Sequence, residues 1–317
     1  MDETSTNGSS KGGDGSRQPV HLPVLLQETL AILELREGLV VVDGTVGAGG
    51  HARAIVQAIG PSGHLVGLDR DSEILVSARA ALAAAAEASG AVARVSLHHL
   101  PHASMQAALA AEGLPGCDRV LLDLGVSSLQ LDRPDRGFSF MVDGPLDMRM
   151  DASAPMTAAD WLASVREEAL ADAIFQFGEE RYSRRIARRI VEARRRTPIV
   201  RTRQLVDLVM GALPAPARHS RIHPATRTFQ AIRMVVNDEL GELERGLAAA
   251  VECLTPGGRL AVISFHSLED RIVKHFLRAQ CEVLTKKPIE ATEDEIRSNP
   301  RSRSAKLRCG VKKETAA

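Results

Sequence analysis

The chain has 317 residues, of which 44% are hydrophobic, and it carries 40 basic and 40 acidic side chains. This length can bury a sizeable core in two domains, or in one domain with a large insertion. Because the net charge is zero, any affinity for nucleic acid has to come from local clusters of charge. No apolar run approaches the roughly 20 residues that a membrane span requires, so we expect a soluble, cytoplasmic protein without a membrane partner.

The cysteines and the first residues of the chain also narrow the class of protein. The four cysteines form no C-x-x-C pair and have no histidines at zinc spacing, which predicts reduced thiols and no catalytic metal. Residues 1–19 are rich in Ser, Gly, Asp and Thr and contain no run that could form the core of a signal peptide. We predict that they form a disordered tail.

Strand-like and helical patterns alternate from residue 24 onward. A helix is predicted near residues 24–33, and strands are predicted at residues 39–43, 65–69, 94–98 and 119–124. Alternation of this kind predicts a parallel sheet with crossover helices, which is an α/β fold.

A glycine-rich loop follows the first predicted strand, and it contains Gly44, Gly47, Gly49 and Gly50. Glycines at such a turn let main-chain N–H groups line a ligand and tolerate positive φ angles. The next strand ends in Asp69, about 20 residues later, where a nucleoside ribose would present its hydroxyls. We therefore predict an adenosine-containing cofactor. The loop also fits G-x-G-x-x-A, so a nicotinamide dinucleotide is an alternative, and a tight turn without a ligand is another.

The helical pattern takes over between residues 140 and 222 and interrupts the sheet. Beyond it, the spacing of apolar residues predicts one long amphipathic helix over residues 229–254, followed by a strand at 259–265. Residues 281–287 and 305–311 are predicted to form a further antiparallel pair of strands. We predict a discontinuous sheet domain, residues 20–140 and 223–317, with residues 141–222 inserted as a helical domain.

Three carboxylates end predicted strands, namely Asp43, Asp69 and Asp123. Ligands of open α/β sheets bind at the carboxyl ends of the strands, so we expect these side chains to rim one crevice. Ser127 and Ser128 follow the fourth strand and add hydroxyl groups beside the glycine loop. The alternatives are that Asp123 caps a helix and that the serines are ordinary loop residues.

Six segments together resemble the bacterial RsmH (MraW) family over about residues 20–312. They are residues 43–51 (DGTVGAGGH), 122–128 (LDLGVSS), 136–140 (RGFSF), 143–150 (DGPLDMRM), 223–230 (HPATRTFQ) and 264–271 (SFHSLEDR). Enzymes of this family are S-adenosylmethionine-dependent methyltransferases that modify the N4 amine of one cytidine in 16S ribosomal RNA. The resemblance implies a Rossmann-like methyltransferase sheet and, as partner, ribosomal RNA within the small subunit.

The resemblance also implies which residues hold S-adenosylmethionine. The implied set is Gly49, Gly50, His51, Asp69, His102, Asp123 and Gln130. His102 departs from the family pattern, in which a phenylalanine is expected, although an imidazole can also lie against an adenine face.

Methyl transfer to cytosine calls for alignment and for hydrogen-bond acceptors rather than for a covalent nucleophile. The cytosine amine is a poor nucleophile because its lone pair is delocalised into the ring, and acceptors for its N–H groups favour the geometry of attack. We predict that Asp123 or Asp147, helped by Ser127, supplies these acceptors.

A basic segment lies in the predicted insertion. Residues 181–203 hold ten arginines and one acidic residue, and we predict that Arg185 and Arg189 contact RNA phosphates. The resemblance extends to residues 299–308, where Arg301 and Arg303 are predicted to flank the same cleft. The alternative for each arginine is a solvated helix face.

Two other functions stay open on the sequence alone. One is a nicotinamide-dependent oxidoreductase, against which the basic insertion and the loop after Asp123 argue. The other is a ribosome-assembly factor that binds the cofactor without turnover, against which the three crevice carboxylates argue.

Overall fold

The computed structural model describes residues 22–89, 93–219 and 222–313, and the predicted tail at residues 1–19 lies outside them. Within the described residues, an eight-stranded sheet forms the centre of the fold in the order β3-β2-β1-β4-β5-β8-β6, with β7 paired to β8. The strands are β1 (Val40–Asp43), β2 (His64–Asp69), β3 (Arg94–His99), β4 (Cys117–Asp123), β5 (Leu254–Ser264), β6 (Cys281–Val283), β7 (Ile289–Glu290) and β8 (Lys306–Lys312).

Helices connect these strands and fill the interval between β4 and β5. They are α1 (Leu26–Leu33), α2 (Gly50–Ile59), α3 (Ser72–Ser89), α4 (Met105–Ala111), α5 (Ser128–Asp132), α6 (Ala158–Ser164), α7 (Glu167–Gly178), α8 (Ser183–Arg194), α9 (Thr202–Ala212), α10 (Ala225–Val236), α11 (Glu239–Cys253), α12 (Ser267–Gln280) and α13 (Glu293–Ser298). None of the helices in the described residues is long and apolar enough to cross a membrane.

Strand order reverses between β1 and β4, which places their carboxyl ends side by side. β1 pairs in parallel with β2 on one side and with β4 on the other. Such a reversal opens a crevice at the carboxyl edge of an α/β sheet, where ligands bind. The predicted α/β fold with a parallel sheet is confirmed.

Alternate side chains of the strands pack into two separate cores, because successive residues of a strand face opposite sides of the sheet. Burial on both faces explains why these strands read as continuous apolar runs. One core contains Val41, Leu65 and Leu121, and the other contains Val42, Val66 and Leu122.

A third hydrophobic cluster belongs to the helices between β4 and β5. Its buried side chains run from Phe138 to Ile232 and include Leu170, Ile186 and Leu205. The cluster therefore takes in α10, which begins three residues beyond the predicted end of the insertion at residue 222. The division into a sheet domain and a helical domain stays a prediction.

The prediction of one long helix over residues 229–254 is wrong, because the structure has two helices there, α10 and α11. Asp238 stands between them with a left-handed φ of 47°. The neighbouring Asn237 side chain is buried and binds a distant loop, accepting from the Met150 N–H (2.7 Å) and donating to the Met148 carbonyl (2.8 Å). These bonds hold the chain out of helical geometry at this point.

The C-terminal strands were predicted correctly as an antiparallel pair. Strand β8 lies between β5 and β6 and is antiparallel to both. Strand β5 begins at Leu254, five residues earlier than predicted, because Cys117 at the start of β4 pairs with Leu254 across a register shift.

Candidate active site

A cavity of about 510 Å³ lies at the carboxyl ends of β1, β2, β4 and β5. Eight of the residues predicted for the site line it, namely Gly50, His51, Asp69, His102, Asp123, Ser127, Gln130 and Arg301. The other five predicted residues do not line it, namely Gly49, Asp147, Arg185, Arg189 and Arg303. The cavity is thus built from both halves of the sheet and from the C-terminal segment.

Gly47 is the glycine at which the first loop opens onto the cavity. Its φ is 54°, and a Cβ atom built there would have only the Thr45 carbonyl oxygen nearby, at 3.8 Å. The Gly47 N–H donates to Asp69 Oδ2 at 3.0 Å. The loop is therefore fixed to the end of β2 while leaving space for a ligand.

Gly49 has a different part in the loop from the one predicted. It precedes the first residue of α2 with a φ of 87°, and a Cβ atom there would meet the backbone of Ala78 in α3 at 3.5 Å. A side chain at this position would therefore point at α3 and not into the cavity. The need for glycine at this position comes from the positive φ, which L-residues adopt only with strain.

Alanine substitutions at the two glycines should separate these roles. Both Gly47→Ala and Gly49→Ala force a Cβ onto a positive φ, so each should cost roughly 1 to 2 kcal/mol of stability. Only Gly47→Ala places a methyl group in the cavity, and it should weaken S-adenosylmethionine binding about tenfold. Calorimetric titration of both folded variants measures this difference. Equal affinities would show that the cofactor does not approach Gly47.

Asp69 ends β2 and is held by the backbone. Its Oδ1 accepts the Asp71 N–H at 2.9 Å, while Oδ2 accepts from Gly47. Burial raises the pKa of Asp69 to about 6, against the lowering effect of these two hydrogen bonds. The side chain is thus largely ionised at neutral pH, and Asp69 lines the cavity.

Asp123 ends β4 with one carboxylate oxygen unused. Within the described residues, Oδ1 is buried and has no hydrogen-bond partner. Burial, together with the nearby carboxylate of Asp43, raises the pKa of Asp123 to about 8. Burial likewise raises the pKa of Asp43 to about 7. Of the three strand-end carboxylates, Asp69 and Asp123 line the cavity as predicted, whereas Asp43 is buried and does not line it.

His51 has a defined protonation state, which bears on Asp123. Its Nε2 lies 3.0 Å from the Val24 carbonyl oxygen, which can only accept, so Nε2 carries a hydrogen. Burial lowers the pKa of His51 to about 4, so the ring is neutral and Nδ1 is an acceptor. Asp123 Oδ2 lies 3.5 Å from that Nδ1. A protonated Asp123 fits this neighbour better than an ionised one, in agreement with the raised pKa.

His102 forms part of the cavity wall opposite Asp123. Its ring packs so closely on Gly246 of α11 that a Cβ there would lie 2.0 Å from the imidazole Cδ2. Nδ1 lies 3.7 Å from Glu242 Oε1, and Nε2 is buried without a hydrogen-bond partner in the described part of the chain. The ring is therefore fixed in place between Glu242 and Gly246 of α11.

Ser127 and Gln130 cap helix α5. The Ser127 Oγ accepts the Gln130 N–H at 3.2 Å, and the Gln130 Oε1 accepts the Ser127 N–H at 3.0 Å. Gln130 Nε2 also donates to Asp71 Oδ2 at 2.9 Å. These bonds position the loop after β4. They give Ser127 and Gln130 a structural role that does not require contact with a ligand.

A buried ion pair supports that loop, and the sequence analysis did not identify it. Arg136 Nη2 lies 2.8 Å from Asp71 Oδ2, and both side chains are almost fully buried. The same guanidinium donates to the carbonyls of Arg149 and Met150. Two features of the sequence could have indicated this ion pair. Arg136 begins the RGFSF segment, and Asp71 follows the second strand closely.

The structure does not bring Asp147 into the cavity, contrary to its predicted role as an acceptor for the amine. Both of its carboxylate oxygens accept from the Arg149 guanidinium, at 2.8 and 2.7 Å. The Asp147 carboxylate is thus neutralised within its own loop. Asp123 is the better candidate of the two.

The cavity wall also contains charged residues that were not predicted from the sequence. Arg233 binds both oxygens of Glu239, at 2.7 and 2.8 Å. His266 Nε2 lies 2.9 Å from Glu269 Oε1. One atom each of Glu239, His266 and Glu269 lie within 4.8 Å of one another, a spacing that could hold a metal ion. The guanidinium on Glu239 already supplies a positive charge there, and the absence of a catalytic metal stays a prediction.

The arginines predicted to bind RNA lie in two places. Arg185 and Arg189 are exposed on α8, and the Arg189 guanidinium lies against Gly211 of α9. Among the described residues, neither has a carboxylate within 4.0 Å. Arg301 is half-buried in the cavity wall, whereas Arg303 is exposed.

The sheet and cavity define an S-adenosylmethionine-dependent methyltransferase. A sheet that binds a nicotinamide dinucleotide has parallel strands, which end in the order 4-5-6. This sheet differs, because the antiparallel strand β8 lies between β5 and β6. The residues present fit the cofactor: the cavity is open at Gly47, each carboxylate oxygen of Asp69 accepts only one main-chain hydrogen bond, and His102 lines the cavity.

The chain belongs to the MraW methylase family, whose model matches residues 18–313. Proteins named ribosomal RNA small subunit methyltransferase H are similar to it over nearly their whole length. That of Syntrophotalea carbinolica is 50% identical over 91% of this chain and 96% of its own length. Those of Geobacter sulfurreducens and Methylococcus capsulatus are 49% and 48% identical, over 92% and 91% of this chain and 98% and 99% of their own lengths.

Proposed function

We propose that this protein transfers a methyl group from S-adenosylmethionine to the exocyclic N4 amine of a cytidine in 16S ribosomal RNA, within the small ribosomal subunit in the cytoplasm. The observation that carries the proposal is the Asp123 carboxyl group, which lines the cavity of a methylase-family fold and keeps one oxygen without a hydrogen-bond partner in the described residues. Relatives that are about half identical to this chain carry the name of a small-subunit ribosomal RNA methyltransferase.

The cofactor is held between the two halves of the sheet. The main chain at Gly47 leaves room for it, Asp69 accepts from the ribose hydroxyls, and His102 contacts the adenine end. Gly50 lines the same cavity. His51 supports the site indirectly, because both of its nitrogens face groups of the protein, Val24 and Asp123. When bound, S-adenosylmethionine supplies a methyl group on a positively charged sulfur, which is a good leaving group.

Asp123 acts on the cytosine amine. The carboxylate accepts an N–H of N4, which orients the nitrogen lone pair, and it takes up the proton that the methylated nitrogen releases. The ionised form is required for both tasks, and its raised pKa of about 8 makes it a strong enough base near neutral pH. Ser127 and Gln130 hold the loop that places this carboxylate.

We propose that residues 141–222 form the RNA-docking part of the protein. Helix α8 buries Ile186 and Ile190 in the helical core and turns its arginines outward. The exposed guanidiniums of Arg185 and Arg189 are available to phosphates, and Arg303 extends the basic surface on the C-terminal side. A base must be splayed from its strand to reach the cavity, which costs less in irregular RNA than in a stable duplex.

Replacing Arg185 and Arg189 together with alanine should weaken binding to small ribosomal subunits and leave cofactor affinity unchanged. Each lost phosphate contact makes the slope of log affinity against log salt concentration shallower by about 0.7 to 0.9. The slope of the double variant should therefore be shallower than that of wild type by about 1.4 to 1.8. Filter binding across a salt series measures the slope. Arg278→Ala, which removes an exposed arginine from α12, is the matched control. A slope equal to that of wild type would exclude these phosphate contacts.

The reaction itself is tested with S-adenosylmethionine labelled on its methyl group. Isolated small subunits that lack the modification should incorporate label when the protein is added, and free cytidine or DNA should incorporate much less. Label in none of these substrates, with cofactor binding intact, would favour the alternative of a non-catalytic assembly factor. Binding of reduced nicotinamide in place of S-adenosylmethionine would favour the oxidoreductase.

A further inference from the structure

Arg301 is placed differently from Arg303, the other arginine of the C-terminal segment that was predicted to flank the cleft. Its side chain lines the cavity, and its Nη1 donates to the Ser128 hydroxyl in the loop after β4. Arg303, two residues later, is exposed and does not line the cavity. The two arginines of this segment therefore face different environments.

The segment that carries Arg301 is fixed to the body of the protein. The Asn299 side chain donates to the Leu22 carbonyl at 3.0 Å, and the fully buried Ser302 hydroxyl donates to the Asn299 carbonyl at 2.8 Å. The backbone on both sides of Arg301 is thus anchored, at Asn299 and at Ser302. A guanidinium on so rigid a support keeps its planar fork in one orientation and loses little entropy on binding.

The charge of Arg301 is not neutralised by a direct ion pair. Within the described ranges, no carboxylate oxygen lies within 4.0 Å of its guanidinium. Burial lowers the pKa of Arg301, and the more distant carboxylates of Asp132 and Asp123 oppose this effect. A half-buried guanidinium with spare donors, facing the cavity that also holds Asp123, is suited to a polar ligand.

Cytosine has an edge that matches this pair of side chains. Its N4 amine donates, while the adjacent N3 and O2 both accept. Asp123 offers an acceptor and Arg301 offers parallel N–H donors, which is the arrangement that a planar edge with one donor and two acceptors requires. Uracil reverses two of these positions: O4 would face the carboxylate and the N3–H would face the guanidinium.

We propose that Arg301 binds the N3 and O2 edge of the target cytosine, so that Asp123 and Arg301 together select cytosine and present its N4 amine. This inference rests on the proposed function and assigns Arg301 to base recognition, which is more specific than the position flanking the cleft that the sequence predicts. Arg303 remains the phosphate-binding member of the segment.

The test compares Arg301→Gln with Arg303→Gln in single-turnover methyl transfer to small ribosomal subunits. Arg301→Gln should lower the rate at saturating subunit by about 10- to 100-fold, the size of one bidentate base contact, and leave the salt dependence of binding unchanged. Arg303→Gln should instead weaken subunit binding and make its salt slope shallower. Arg301→Lys, which keeps the charge but loses the fork, should also transfer slowly. Thermal melting and cofactor titration show that each variant is folded.

A modified base tests the contact atom. Subunits reconstituted with 3-deazacytidine at the methylated position lack the N3 acceptor, and wild type should transfer to them about tenfold more slowly. With the Arg301→Gln variant, 3-deazacytidine should reduce the transfer rate little further, because the contact with N3 is already lost. Equal losses in both proteins, or an Arg301→Gln defect confined to the salt slope, would overturn the assignment. If wild type transfers no methyl group to unmodified subunits, the proposed function itself has failed.

Discussion

Asp123→Asn should lower the single-turnover rate of methyl transfer by about 100- to 10,000-fold, the usual effect of removing a general base. The amide keeps the size of the carboxyl group, and its NH₂ can donate to His51 Nδ1, so the fold and the cofactor site should be preserved. It cannot accept the proton from N4. The wild-type rate should rise about tenfold per pH unit below a pH of about 8 and then level off.

The same substitution should stabilise the protein at high pH. The pKa of Asp123 is raised from 3.8 to about 8 in the folded state, so folding takes up a proton between these values. Stability from this group is therefore present at low pH and declines as the pH rises through this window. Asparagine does not titrate, and at pH 9 the variant should be more stable by roughly 2 to 5 kcal/mol. Denaturant unfolding at pH 5 and pH 9 measures the difference, and an equal effect at both pH values would contradict the raised pKa.

Arg136→Ala should destabilise the protein by about 3 to 5 kcal/mol, because it leaves the buried carboxylate of Asp71 without its partner. The carbonyls of Arg149 and Met150 also lose their donor. The loop after β4 depends on this network through Gln130, so methyl transfer should fall even in the folded fraction.

The matched control for Arg136 is Arg133→Ala. Arg133 is about half exposed, and its ion pairs with Glu73 and Asp135 lie at the surface. Surface pairs contribute less than about 1 kcal/mol, so this variant should unfold at nearly the wild-type denaturant concentration. Similar losses in both variants would show that the burial of the Arg136 pair has no special effect.

The sheet and its crevice could be predicted from the sequence because their signal is local. Apolar runs that end in Asp43, Asp69 and Asp123 identify both the strands and the edge at which they meet. The antiparallel pair of β6 and β8 was predictable for the same reason. Periodicity could not reveal the break between α10 and α11, because it arises from the contacts of Asn237 with a distant loop.

Individual roles were harder to predict, since they depend on the direction of side chains. The glycines at 47 and 49 look alike in the sequence, but their φ angles turn a Cβ toward the cavity at one and toward α3 at the other. Asp147 has the right chemistry for an acceptor, but Arg149 occupies it. Arg233 and Glu269 reach the cavity from segments far from the glycine loop, and no sequence spacing connects them with it.

The central claim is that Asp123 enables transfer of a methyl group to N4 of a cytidine in 16S ribosomal RNA. Mass spectrometry of nucleosides tests it, after unmodified small subunits are incubated with S-adenosylmethionine and either wild type or Asp123→Asn. The account predicts N4-methylated cytidine with wild type and almost none with the variant, although both bind the cofactor. N4-methylated cytidine at equal levels with both proteins, or a methyl group on another nucleoside, would contradict it.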